Sequence, residues 1–245
     1  MTHLAHIRPR SIAEIIDAGF RIYRAHWGEL VVLSALLLVP PALLTVVIPP
    51  QFHGVIQVTE NLMFLVVQGA IAVLVGAAIE AERPISAGET LRRLGRRAST
   101  ILGASILSGV LIVIGAFLLV LPAVFAVVWT AVATPVAANE QVGSSRALVR
   151  SRELARGHFW HVLGTVVFAW IIMIVLAYGA GITLEMVFEL TGVPDLIGEA
   201  FQSLMFVALF PLVGVMVTLL YYDLRVRNEG ADLMAMMDTL PQPNP

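Results

Sequence analysis

The chain has 245 residues, 58% of them hydrophobic and only 13% charged; soluble domains carry charge on roughly a quarter of their residues, so a soluble globular fold is excluded. Its formal net charge of −2 is uninformative, but all fifteen basic residues are arginine and they are unevenly placed. The absence of cysteine rules out disulfide frameworks, iron–sulfur sites and thiol nucleophiles.

From the N-terminus, residues 1–9 read as a mobile tail, and the next segment, SIAEIIDAGFRIYRAHW, reads as an amphipathic helix. At about 100° per residue, Ile12, Ile15, Ile16, Phe20, Ile22, Tyr23 and Trp27 share one face, and Glu14, Asp17, Arg21 and Arg24 share the other. Ser11 and Glu14 stand at capping-box spacing, so the hydroxyl and the carboxylate can each satisfy the other residue's amide. Apolar runs long enough to cross a bilayer, about 18 residues or more, follow at 30–48, 62–79, 101–120, 121–138, 162–182 and 201–222. Pro40 and Pro41 predict a kink in the first, with Ser34 and Thr45 available to cover the freed carbonyls. In the second, Ala72 and Gly76 permit close helix approach. The third and fourth runs are nearly continuous and divide at Leu121-Pro122, proline being favoured at a helix start.

Two further segments resemble the first. Ser86 and Glu89 form a second capping box, ahead of a helix with Leu91, Leu94, Ala98, Ile101 and Leu102 on one side and Arg92, Arg93, Arg96 and Arg97 on the other. A third opens at Gly143-Ser-Ser145, its Arg146, Arg150, Arg152, Glu153 and Arg156 sharing an arc of roughly 160° opposite Leu148, Leu154, Ala155 and Phe159. The chain therefore reads as one membrane domain built from three copies of amphipathic helix plus hairpin, over about 11–80, 86–139 and 144–230, with a flexible tail at 231–245. The expected architecture is an all-α polytopic bundle of six transmembrane helices and three interfacial helices lying flat at the membrane surface.

Orientation follows from charge. With six spans, the arginines before the first, between the second and third, between the fourth and fifth, and after the sixth all face one side. The opposite loops carry none, and the segment 183–203 holds Glu185, Glu189, Asp195 and Glu199 instead. By the positive-inside rule both termini are cytoplasmic. Exclusive use of arginine, with abundant Ala and Val, points to a GC-rich bacterial genome and hence to the inner membrane.

Candidate sites are sparse. The six histidines do not assemble a ligand set: His3 and His6 lie in the tail, His53 on the outer side, and only His158 and His161 are close, so neither a metal nor any other cofactor is expected. The spans hold no ionised residue near their middle, which argues against a proton-driven pump. Basic residues hug the membrane ends without an aromatic-rich polar surface, so nucleic acid is not expected. The residues expected to contact lipid at the interface are Arg21, Arg24, Trp27, Arg92, Arg93, Arg96, Arg97, Arg150, Arg152, Arg156 and Trp160. Their partners would be anionic membrane lipids, with membrane proteins as further partners.

The last span ends in Tyr221, Tyr222 and Asp223, followed by Arg225, Arg227, Glu229 and a helix-stopping Gly230. Interfacial tyrosines and alternating charges suit a motif that closes the fold. This stretch, YYDLRVRNEGADL, together with RPRSIAEIIDAGFRIYR and RELARGHFWHVLG, resembles the bacterial glycerophosphoryl diester phosphodiesterase membrane-domain family. The resemblance implies a membrane region that some members join to a soluble catalytic domain. That domain's His-Arg-Gly turn and metal-binding carboxylates do not occur here, so the implied activity is not carried over. The expected function is that of a non-enzymatic membrane protein interacting with lipids or scaffolding envelope proteins. The alternative is a carrier or exporter of a small amphiphile around a central cavity.

Overall fold

The computed structural model describes residues 9–81, 86–118, 120–191 and 195–238. Among them every regular element is helical: α1 (Ile12–Ala25), α2 (Trp27–Val47), a 3-10 turn (Pro50–Phe52), α3 (His53–Ala81), α4 (Ala87–Leu118), α5 (Val120–Thr130), α6 (Ala133–Asn139), α7 (Ser144–Ala155), α8 (Phe159–Thr191) and α9 (Asp195–Asp238). Five segments are long and apolar enough to cross a bilayer: Gln57–Ile79, Ala87–Leu118, Leu121–Asn139, Phe159–Thr183 and Phe201–Gly230. A sixth is reached if α1 and the first part of α2, bent by 81° at their junction, count as one broken span. The fold is thus an all-helical bundle compatible with a multi-pass membrane protein. Phe117 (91% exposed), Leu121, Val175 and Leu190 present apolar side chains outward, the reverse of a soluble surface.

Local chemistry accounts for the element ends. The capping box at Ser11 is formed in both directions: its hydroxyl accepts from the Glu14 amide, and its own amide donates to the Glu14 carboxylate at 2.8 Å. At the next start the Ser86 hydroxyl accepts from the Glu89 amide. The third start has no side-chain cap, because its N-cap is Gly143; the hydroxyl of Ser144, the first helical residue, donates to the Thr100 carbonyl and ties α7 to α4.

Several boundaries differ from the sequence expectation. The second amphipathic segment is not a separate helix but the opening third of α4, since no residue between Glu89 and Ile101 breaks the backbone pattern. The outer stretch 49–60 is largely helical, α3 beginning already at His53. The acidic residues of 183–203 lie on the ends of α8 and α9 rather than in a long loop, of which 192–194 fall outside the described residues. The apolar segment Leu121–Asn139 breaks between Thr130 and Ala133, where Pro135 has no amide to offer the Ala131 carbonyl; at this break the Val132 amide donates to the Ser151 hydroxyl on α7 at 3.3 Å. Gly230 does not stop the last helix, and α9 continues through 231–238 where a flexible tail was expected; 239–245 lie outside the described residues. Helix α2 runs on through Pro40 and Pro41, and the buried Ser34 hydroxyl has no partner among the described residues, so it does not cover their carbonyls.

The largest correction concerns α1. Instead of lying flat across the end of the bundle, it docks lengthwise in the groove of the α8–α9 pair. The Arg10 amide just before it reaches Asp223, Gly19 faces Met216, and the Tyr23 hydroxyl donates to the Ala208 carbonyl at 2.7 Å. Gly19 makes this possible, since a Cβ there would stand 2.7 Å from the Met216 side chain. Pro211 disrupts the α9 ladder one turn on, and the Tyr23 hydroxyl serves the backbone beside it. Ile15, Ala18 and Gly19 are buried in this contact, while Asp17, Arg21 and Arg24 stay outside.

The bundle centre is filled by Leu30, Leu33, Ile71, Leu74, Ile101 and Leu220, with Phe64, Phe206 and Phe210 packed edge-on and stacked nearby. Close approach uses Gly76: a Cβ there would collide with the Asn139 carboxamide and stand 3.1 Å from the Tyr222 hydroxyl. Asn139 in turn donates to the carbonyls of Ala72 and Pro135, at 3.2 and 3.0 Å.

Candidate functional site: a polar lock at one end of the bundle

Helix α9 carries Tyr221 to Glu229 at the end of the bundle where α6, α7, the start of α8 and the chain before α1 converge. Asp223 is its centre. The side chain has no solvent exposure, and its carboxylate accepts from the Arg10 amide at 2.5 Å, from Arg227 Nε at 2.7 Å and pairs with His161 Nε2 at 2.9 Å. Arg227 then donates to the Arg10 carbonyl at 2.6 Å, closing a ring between the N-terminal segment and α9. A buried carboxylate is tolerated only when its lone pairs are used and its charge is matched, and both conditions hold here. His158, half-buried at the same junction, has its pKa lowered by burial first, and then by the nearby Arg227 cation and His161; Asp223 opposes the shift.

One turn along lies a second set. The buried Tyr221 donates to Glu140 at 3.1 Å; Arg150 of α7 bridges Glu140 at 3.4 Å and Glu229 at 2.7 Å; Arg225 holds Glu229 from its own helix at 2.9 Å. Arg97 of α4 donates to the Glu140 carbonyl, and Asn228 to the Leu154 carbonyl at 3.1 Å. Five elements are thereby tied to one stretch of α9. The carboxylate at its heart has no exposed oxygen, so the arrangement holds helices and offers Asp223 to no substrate.

The interface arginines do not form one site. Arg21 pairs with Asp17 on the outer face of α1, and Arg24 and Trp27 are exposed nearby. On α4, Arg92 is exposed, Arg93 pairs with Glu89 at 2.7 Å, and Arg93, Arg96 and Arg97 line a polar crevice of about 220 Å³ with Asn139. At the α7–α8 turn, the Arg152 guanidinium lies 4.5 Å from the Trp129 ring centroid, and Arg156 and Trp160 are exposed beside it. Among the described residues, no group of three or more His, Cys, Asp or Glu side chains comes together as a metal site.

Sequence reasoning missed His161, Glu140 and the Arg10 backbone as members of the lock. A signal was present for two of them, because Arg10 and His161 stand in RPRSIAEIIDAGFRIYR and RELARGHFWHVLG. Asp223 joins these two segments to the C-terminal motif in space. Glu140 carries no such mark; only the chain's path through α6 brings it to Tyr221.

Fold and site together describe a class: an all-helical protein with membrane-compatible apolar helices, closed at one end by an ion-paired lattice. Beyond the class, no protein family, curated protein or solved structure matches the chain.

Proposed function

We propose that this is a non-enzymatic, six-span protein of the bacterial inner membrane, both termini cytoplasmic, that binds anionic lipid through its arginine-rich end or scaffolds envelope proteins there. The observation that carries the reading is the set of exposed arginines Arg92 and Arg96 of α4 and Arg152 and Arg156 of α7 and its C-terminal cap, gathered at the end of the bundle where Arg97, Arg150, Arg225 and Arg227 are held by the acids and carbonyls of the lock. Each arginine near an anionic leaflet contributes about 1 kcal/mol of attraction, screened by salt. The lock keeps the helices that carry them in register. In this reading the apolar run within α2 is the first span, α1 with its exposed Asp17, Arg21 and Arg24 stands on the cytoplasmic side of it, and the start of α4 and α7 are the headgroup-level segments. The resemblance to the glycerophosphoryl diester phosphodiesterase membrane-domain family belongs to the same proposal, without its hydrolytic activity.

A single cysteine placed at Gly95, exposed on α4, tests the orientation. It should react with an impermeant maleimide only after the cells are opened, and labelling of intact cells would overturn the topology. Lipids retained by the purified protein should be enriched in anionic species relative to the membrane, and a matching composition would overturn lipid binding.

The second reading, a carrier of a small amphiphile, is favoured by one feature. A cavity of about 290 Å³ lies between α2, α3, α8 and α9, lined by Leu38, Phe64 and Phe206 with Glu60, Tyr178, Gln202 and Ser203 as its polar groups.

A further inference from the structure

We propose that the crevice between α5, α7 and the start of α8 binds the phosphate headgroup of an anionic phospholipid, with the lipid's chains running along an adjoining aromatic strip. The proposal rests on the membrane reading above and gives it a specific site. The crevice measures about 500 Å³, inside the range of roughly 300–1,000 Å³ typical of small-ligand sites. Its lining brings Arg152 and Arg156 together with Trp129, Val149 and Phe159.

Three observations select the occupant. First, neither Arg152 nor Arg156 is paired with a carboxylate among the described residues, and the one acid in the crevice, Glu153, is taken by Arg146 at 3.2 Å. The Arg152 guanidinium carbon lies 4.5 Å over the Trp129 ring, a cation–π contact that uses the face of the group and not its N–H donors, which suit charge-assisted contact to phosphate. Second, the α7–α8 turn is built to present Arg156 beside Phe159: Gly157 adopts φ 79°, which a side chain would resist. Third, Trp129, Phe125, Phe159 and Trp160 form an unbroken run of ring contacts at 5.6, 5.0 and 5.3 Å, and Trp160 is 78% exposed. Exposed tryptophan beside arginine is the chemistry of the bilayer headgroup level, and a ligand that satisfies both surfaces at once carries an anionic phosphate and an apolar tail.

The test is native mass spectrometry of the full chain in detergent, titrated with phosphatidylglycerol or with phosphatidylcholine of the same acyl chains. The wild type should bind the first phosphatidylglycerol about tenfold more tightly than phosphatidylcholine, as expected of charge-assisted contacts. The double substitution Arg152→Gln/Arg156→Gln should bring the two lipids to parity, and Arg156→Gln alone, at an exposed position that cannot unfold the bundle, should remove about half of the logarithmic preference. Arg21→Gln/Arg24→Gln should leave it intact. If the Arg152/Arg156 variants keep the full preference, this site is wrong while general anionic binding stands. If the wild type itself shows no preference, both readings fall. Complete displacement of phosphatidylglycerol by millimolar inorganic phosphate would overturn the lipid in favour of a soluble anion.

Discussion

Replacing Asp223 by Asn changes one oxygen for an amide and almost no volume, so its effect isolates charge and acceptor capacity. The carboxylate accepts from Arg10 and Arg227 and pairs with His161, with no part of the side chain exposed. An asparagine keeps one acceptor, turns a donor toward groups that already donate, and leaves Arg227 without its counter-charge in a largely closed site. Breaking one partner out of a buried pair costs about 3–5 kcal/mol. At about 2–4 °C per kcal/mol for a chain of this size, the unfolding midpoint in detergent should fall by about 6–20 °C. Retained lipid should be unchanged, because the residue faces other helices. Arg227→Gln should give a similar loss, and the double variant should lose less than the sum, the mark of two groups in one network. The structural account is refuted if Asp223→Asn leaves the midpoint within 2 °C, roughly 1 kcal/mol, and doubly so if a bound lipid or metal disappears instead.

Gly76→Ala should destabilise by about 1–3 kcal/mol through overpacking, because the new methyl meets an Asn139 held by two carbonyls. Gly109→Ala, at an exposed helical position with no atom within 4 Å, should be neutral or stabilising, and thermal unfolding separates the two. Tyr221→Phe keeps the buried ring but frees Glu140 of one donor, so a loss of about 0.5–1.5 kcal/mol is expected; a larger one would mean that the hydroxyl does more than this bond. For His158, the folded state holds the pKa below its usual value, so the native protein takes up this proton less readily than the unfolded chain. Stability from this group is therefore intact above about pH 6.5 and lost as pH falls from there through the lowered folded pKa. His158→Gln should flatten the fall of the unfolding midpoint between pH 7.5 and 5.5, and parallel curves for the two proteins would refute it.

Composition and periodicity alone determined the helical class, the positions of the apolar runs and the start of α1, because each depends on neighbours a few residues apart: a run long enough for a bilayer, or a serine three residues before a glutamate. Asp223 and its arginine at i+4 were legible for the same reason. Tertiary structure decided the rest. The pattern of α1 records one apolar face and one charged face, and does not say whether bilayer or helix covers the apolar face; Gly19 against Met216 and Tyr23 on Ala208 place that face in the α8–α9 groove. Gly230 resembles a terminator, yet α9 runs on, because a glycine lowers helix propensity by only about 1 kcal/mol and does not by itself end a helix. His161 and Glu140 joined the lock from 62 and 81 residues away in sequence. No local rule reaches across such distances; the partner of a buried charge is chosen by which helices pack together, and that is known only once the chain is folded.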